Sequence, residues 1–213
     1  MSVRRAKPWV FAFCLVPLGV LVWRAFTGGL SANPIEFITH STGDWTLRFL
    51  LIALAVTPLR RVSGWTVLAS FRRMFGLFAF FYATLHLSTY VVLDFFFSID
   101  LILDDIVERR YVTAGFVGFV MLIPLAVTST TRMIRRLGGA RWRRLHRLAY
   151  VAAVAGVVHY LWLVKIDIRP PLAYGAVLAG LLGIRVWFHY VKRTSVVEVP
   201  RRSTSRPTTA AAS

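Results

Sequence analysis

The chain has 213 residues, 57% of them apolar, and a formal net charge of +17. Its mean hydropathy of +0.63 excludes an ordinary soluble domain, and near-uncharged runs of about 17 to 21 residues match the apolar thickness of a bilayer. The positive charge does not point to nucleic acid, because the basic residues stand in short connections and ends between apolar runs rather than on a face or arm that could follow a duplex.

No backbone amide can stay unpaired in hydrocarbon, so the apolar runs must be helices. The predicted fold class is all-α, a polytopic membrane bundle of six transmembrane helices. In chain order the spans fall at 8–23, 45–59, 74–93, 111–128, 145–164 and 171–190. Arg4, Arg5 and Lys7 ahead of the first run resemble the start of a signal peptide, but no small-residue cleavage site follows, and an uncleaved first span is expected. Trp9, Trp23, Trp45, Tyr111 and Trp162 sit near span ends, where interfacial aromatic anchors belong.

The connections alternate in charge. Segments 1–7, 60–73, 129–147 and 191–213 hold 19 of the 26 basic residues, whereas the other connections and their flanks hold 8 of the 9 acids. The basic set is expected to face the cytoplasm, which puts both termini inside, as an even number of spans requires. The location expected is a cell membrane, which the resemblance described below narrows to a bacterial cell inner membrane. Residues 1–192 form one predicted transmembrane domain, and 193–213, with nothing apolar to bury, a disordered basic cytoplasmic tail. Cys14 is alone, so neither a disulfide framework nor a thiolate cluster is available. Gly28-Gly29 and Gly138-Gly139 lack the strand and helix context of a dinucleotide site, so any donor of electrons must bind from outside.

His86 and His159 lie inside the third and fifth spans, and a metal-competent side chain at membrane depth usually marks a pathway or a cofactor. Both spans run the same way. His86 is 13 residues beyond Arg73 and His159 is 13 beyond His146, so both imidazoles stand roughly 20 Å from the inner boundary. Level imidazoles on two parallel helices suit a six-coordinate haem. Ala79 and Ala83 precede His86 on its helix face, and Ala152, Ala155 and Gly156 precede His159. Such strips leave room for a flat macrocycle, and they equally allow close helix packing. Spacing alone leaves haem ligation and a hydrogen-bonded packing histidine equally open. His146 sits at the inner interface, and the level position on span three holds Arg72 or Arg73. His40 and His189 have no visible partner and are expected to be structural. Arg48 and Arg185 fall inside spans; they either snorkel to an interface or pair with haem propionates, a flavin phosphate or a quinone oxygen.

Several strings carry a resemblance. They are Thr57-Pro58-Leu59, Arg72-Arg73-Met74-Phe75-Gly76-Leu77, Ala83-Thr84-Leu85-His86-Leu87, Thr128-Ser129-Thr130, Trp142-Arg143-Arg144-Leu145-His146-Arg147-Leu148-Ala149-Tyr150 and His159-Tyr160-Leu161-Trp162-Leu163-Val164-Lys165. In this order, over 28–192, the chain resembles the MsrQ family of haem-binding membrane subunits, within the ferric-reductase-like transmembrane family. The resemblance implies b-type haem on His86 and His159, with His146 matching a third family histidine. It also implies FMN, which would sit near His146 and the surrounding arginines, Arg73 among them. Related reductases carry two histidines on each of two spans; here the inner one of span three is missing.

The function expected from the resemblance is electron transfer from membrane quinone or a cytosolic flavin reductase to a periplasmic molybdopterin methionine sulfoxide reductase of the MsrP type. The sulfoxide chemistry would belong to that partner, so the chain is an electron-transfer subunit rather than the catalyst. Outer connections 24–44, 94–110 and 164–170 would form the docking face, with the acidic stretch 94–108 contributing to it. The alternative is a secondary transporter or proton-conducting protein with intramembrane His and Arg as a relay; the absence of Asp or Glu well inside the predicted spans counts against it. Besides the bilayer and these redox partners, no nucleic acid is expected.

Overall fold

The computed structural model describes residues 3–197, with side chains through Tyr190. All regular structure among these residues is helical. Long helices α1 (Val3–Thr27), α2 (Pro34–Ser63), α3 (Arg72–Thr89), α5 (Arg110–Val127), α8 (Leu148–Leu163) and α9 (Arg169–Val197) overlap the six expected spans, and a π-helical turn, Tyr90–Asp94, extends α3. Val3–Thr27, Arg72–Asp94, Arg110–Val127 and Arg169–Tyr190 are long and apolar enough to cross a membrane on length and composition. The other two fall short for different reasons. At 16 residues, α8 is about 24 Å long, less than a bilayer core; α2 is diluted by Asp44 and Arg48.

Three expectations need correcting. The segment 24–44 is not an open connection: Asn33 caps α2, its side chain accepting from the Glu36 amide, and Pro34 occupies the first turn, so the helix begins well before residue 45. The stretch 94–110 contains a ten-residue helix, α4 (Ile99–Glu108). The basic connection 129–147 is two short helices, α6 (Thr131–Leu137) and α7 (Gly139–Leu145), parted at Gly138, whose φ of 74° suits glycine. His146 therefore lies in the turn between α7 and α8, not within a span. The boundary expected at residue 192 falls inside α9, and residues 198–213 of the predicted tail lie outside the described residues.

Two helix pairs make the centre. The pair α2 and α3 packs through a ladder of aromatic rings, with Phe49 stacked on Tyr82 at 5.3 Å and tilted against Phe78 at 5.7 Å. The pair α5 and α8 packs through small residues. A Cβ added at Gly118 would stand 3.5 Å from the Ala155 side chain and 3.6 Å from the Ala152 carbonyl, so the backbones approach closely without bulk between them. The pairs meet through α2 with α8 and α3 with α5, burying Leu47, Leu50, Ala79, Ala83, Leu122, Ala152 and Ala153.

At the periphery, α1 is tied to α3 by Tyr82. Its hydroxyl donates to the Cys14 carbonyl (2.9 Å) and accepts from the Leu18 amide (3.1 Å), entering the α1 ladder beside Pro17. Losing the hydroxyl removes both hydrogen bonds that tie α3 to α1. Tyr82→Phe is expected to lower stability by about 1–3 kcal/mol, measured as an earlier thermal unfolding transition of the detergent-solubilised protein.

Candidate functional site

Each central helix pair fixes one histidine in the same way. His86 on α3 donates from Nδ1 to the Thr39 carbonyl of α2 at 2.9 Å, and His159 on α8 donates from Nδ1 to the Tyr111 carbonyl of α5 at 2.6 Å. A carbonyl oxygen can only accept, so Nδ1 carries the proton on both rings and Nε2 keeps its lone pair. That is the tautomer of a neutral metal ligand, oriented by the hydrogen bond behind it.

The ring that leans on a helix needs space there, and glycine supplies it one turn beyond each accepting carbonyl. A Cβ at Gly43 would lie 3.1 Å from His86 Nδ1 and Cε1, and one at Gly115 only 2.7 Å from His159 Nδ1. Thr39 with Gly43 and Tyr111 with Gly115 are thus one device used twice, a carbonyl at i and a gap at i+4 on the same helix face.

The two imidazoles face each other across the pair interface, with ring centroids 6.0 Å apart and planes at 78°. A single metal bonded at about 2 Å to one nitrogen of each ring spans that separation. They border a cavity of about 560 Å³ whose other walls include Gly43, Leu47, Ala83, Gly115, Gly118, Phe119, Ala152 and Gly156. Among the described residues no group of three or more His, Cys, Asp or Glu is arranged to hold a metal ion. Two imidazoles beside a roomy, mostly apolar cavity instead fit a metal that brings its own equatorial ligands, as haem iron does. The residues present therefore fit the group.

The small residues divide between the two uses foreseen for them. Ala83, Ala152 and Gly156 line the cavity, whereas Ala79 is fully buried in the core and Ala155 packs on Gly118. Counting 13 residues from His146 to His159 crosses the turn that starts α8, so that stretch is not one helix. The two rings are brought together nonetheless, with centroids 6.0 Å apart.

The remaining candidates lie elsewhere. His146 Nε2 is 3.3 Å from the Thr128 hydroxyl and its ring is 3.9 Å from that of Trp142, away from the cavity. Arg73 is exposed in the first turn of α3 and does not line the cavity. Neither membrane arginine snorkels freely. Arg48 donates to Tyr174 of α9 (2.9 Å), pairs with Asp44 (3.4 Å) and lies over the Trp45 ring. Arg185 donates to the Tyr150 hydroxyl and the Leu54 carbonyl, tying α9 to α8 and α2, and its Nε is buried without a partner. His189 lies against Tyr190.

Sequence reasoning missed His40, which lines the cavity with Glu36 and Asp44. It also missed a polar cluster over the same end. Buried Asp105 accepts from the Tyr90 hydroxyl (2.8 Å) and pairs with Arg109 Nε (2.9 Å), while Arg109 donates to the Tyr111 hydroxyl (3.1 Å). Asp94, Asp105, Arg109 and Tyr111 all border the cavity, so it opens toward the acidic connections and away from the arginine-rich ones. Gly43 and Gly115 were legible only as glycines inside helices; what they accommodate comes from another chain segment.

Residues 42–157 match the family described as the ferric reductase like transmembrane component. The chain belongs to the ferric-reductase-like transmembrane family, in its MsrQ branch. The matched stretch includes His86 and His146 and ends just short of His159. Among curated relatives, the chain is 51% identical to the protein-methionine-sulfoxide reductase heme-binding subunit MsrQ of Herminiimonas arsenicoxydans, over 88% of this chain and 87% of that protein. It is 49% identical to the MsrQ subunit of Caulobacter vibrioides, over 84% and 85%. With that of Xanthomonas euvesicatoria pv. vesicatoria it shares 46% identity over 98% and 96%.

The glycine gaps give a direct test. On the haem reading proposed below, Gly115→Ala should displace His159 and remove most haem from the purified protein, and Gly43→Ala should do the same more weakly. Gly76→Ala, where an added Cβ meets nothing within 4 Å, should leave haem content unchanged. Pigment-to-protein ratio measures all three.

Proposed function

We propose that this chain carries electrons through the membrane by way of one b-type haem held between His86 and His159. The observation that carries the reading is the pair of imidazoles, 6.0 Å apart, each with Nδ1 bound to a backbone carbonyl and Nε2 left for iron. The relatives named above are heme-binding subunits, and their names support the same assignment.

Haem in such a site would supply reversible one-electron transfer, at a potential set by the residues that hold it, their hydrogen bonds and its burial. The chain's own residues do the rest. The Thr39 and Tyr111 carbonyls orient the imidazoles and raise their basicity. Gly43 and Gly115 make room for the imidazoles, Ala83, Gly118, Ala152 and Gly156 leave room for a flat group, and Leu47, Leu122 and Phe119 keep water from it. The Asp105, Arg109 and Tyr90 cluster closes the polar end.

The charge pattern of the connections supports a bacterial inner-membrane location with the cavity nearer the periplasmic face. In this reading electrons arrive from membrane quinone or a cytosolic flavin reductase and leave to a periplasmic methionine sulfoxide reductase of the MsrP, molybdopterin type. His146 is then not an iron ligand but part of the inner entry, among Arg72, Arg73 and Trp142, where FMN would serve as the inner carrier. The exposed acids Asp100, Asp104 and Glu108 contribute to docking of the partner; Asp105 is buried and paired, and is not free to do so.

Purified protein should show a Soret band and, on reduction, a b-type α band; a colourless, well-folded protein would overturn the reading. His86→Ala and His159→Ala are each expected to abolish the bands. His146→Ala should leave them in place while slowing reduction, and loss of all haem in that variant alone would reverse the ligand assignment. Charge reversal at Asp100 and Asp104 should weaken electron delivery to the partner, with the difference from the unmodified protein shrinking as salt is added; equal rates at low salt would remove the docking role.

A further inference from the structure

Helix α4 is turned against the usual order. On its bundle side stands Asp105, 7% exposed and held by Tyr90 and Arg109. The residues turned outward include Ile99, Leu103 and Val107, at 66%, 56% and 83% exposure. These three recur every fourth residue and so form one strip along the helix. The adjacent strip, displaced by about 100° around the axis, is Asp100, Asp104 and Glu108, all exposed. Apart from Leu101, which is 56% exposed beyond the acidic strip, the outer half of α4 is divided lengthwise into an apolar and an acidic band.

The connectivity fixes where this helix can be. Only residues 95–98 join it to the end of the π-helical turn that extends α3, and only Arg109, in extended conformation, joins it to α5. Both neighbours are helices long and apolar enough to cross a membrane, so α4 must lie at the level where they end. In the same short turn Phe96 and Phe97 are 78% and 65% exposed, and both adopt positive φ, 47° and 63°. Non-glycine residues seldom take that conformation. Here it leaves two phenyl rings uncovered beside the apolar band.

We infer that α4 lies in the plane of the membrane surface, with Ile99, Leu103, Val107 and the Phe96-Phe97 turn sunk among lipid acyl chains and Asp100, Asp104 and Glu108 facing water. An interfacial helix is divided in this way, apolar on the side toward the lipid and charged on the side away from it. Its acidic band gives anionic headgroups nothing to bind, so insertion rests on the apolar band and needs no anionic lipid. Seated there, α4 holds the Asp105 cluster over the cavity from outside. The inference rests on the membrane-spanning reading, not on the identity of the cofactor.

The test uses single cysteines at Leu103, Val107 and Asp104, each carrying a nitroxide label, in otherwise intact protein reconstituted into phosphatidylcholine bilayers. All three positions are exposed, and native Cys14 is buried and does not compete for label. A fourth label at Val117, exposed on α5, reports on a span. Collision with oxygen should exceed collision with an aqueous nickel chelate several-fold at 103, 107 and 117, and the order should reverse at 104. Adding anionic lipid should not change the pattern. Chelate access at 103 and 107 equal to that at 104, with 117 still protected, would overturn the inference and make the apolar band a protein-docking surface. Protection at 104 as well would place the whole helix within the bilayer and overturn it too. Chelate access at 117 would mean that α5 is not in lipid, and the membrane reading would fall with the inference.

Discussion

Two hydrogen bonds, from His86 to the Thr39 carbonyl and from His159 to the Tyr111 carbonyl, organise the centre of this molecule. Each joins a helix to its nearest packing partner, and each commits an imidazole to one tautomer and one direction. In a low-dielectric interior such a bond is strong, and an unpaired ring nitrogen or carbonyl is costly. Helix pairing and ligand geometry are thereby one constraint: α2 cannot slide on α3, or α5 on α8, without releasing a histidine. Glycine at 43 and 115 is the condition for both bonds, because any side chain there would occupy the space of the ring.

The rest of the bundle serves that centre in two ways. One pair of central helices is stiffened by stacked aromatic rings that stand outside the cavity lining, and the other by close contact of small residues. Cross-links by polar groups then fix the outer helices. Arg48 reaches Tyr174, Arg185 reaches Tyr150 and Leu54, and Tyr82 enters the α1 ladder. Charges inside membrane helices often mark a transport path, but these two arginines are committed to fixed partners on neighbouring helices. That arrangement favours a rigid scaffold over a relay that must change state.

The charged ends have different characters. The arginine-rich end is built from short helices, with His146 in a turn between Thr128 and Trp142. The acidic end carries the mouth of the cavity, covered by Asp105, Arg109, Tyr90 and Tyr111. In the proposed scheme a group held in this cavity would stand closer to the acidic end than to the basic end, which is why that scheme places an inner carrier near His146.

Read alone, the chain disclosed its long helices, the alternation of charge between connections and the position of His86 and His159 inside apolar runs, because hydrophobic run length, charge placement and a lone polar residue in an apolar run are properties of local sequence. It led to the expectation that the two histidines are level, although the count behind it ran through a turn before α8. It did not show the early start of α2, the helix in 99–108, or the break that leaves His146 outside a span, where capping and turn geometry outweigh hydropathy. Nor could it tell which small residues face a cavity and which face another helix: Ala79 and Ala83 are alike in sequence, yet one is core and the other cavity wall. The roles of His40, Gly43, Gly115 and Asp105 were decided only by tertiary structure, because each depends on a group from a different helix, and spacing along one helix carries no information about what packs against it.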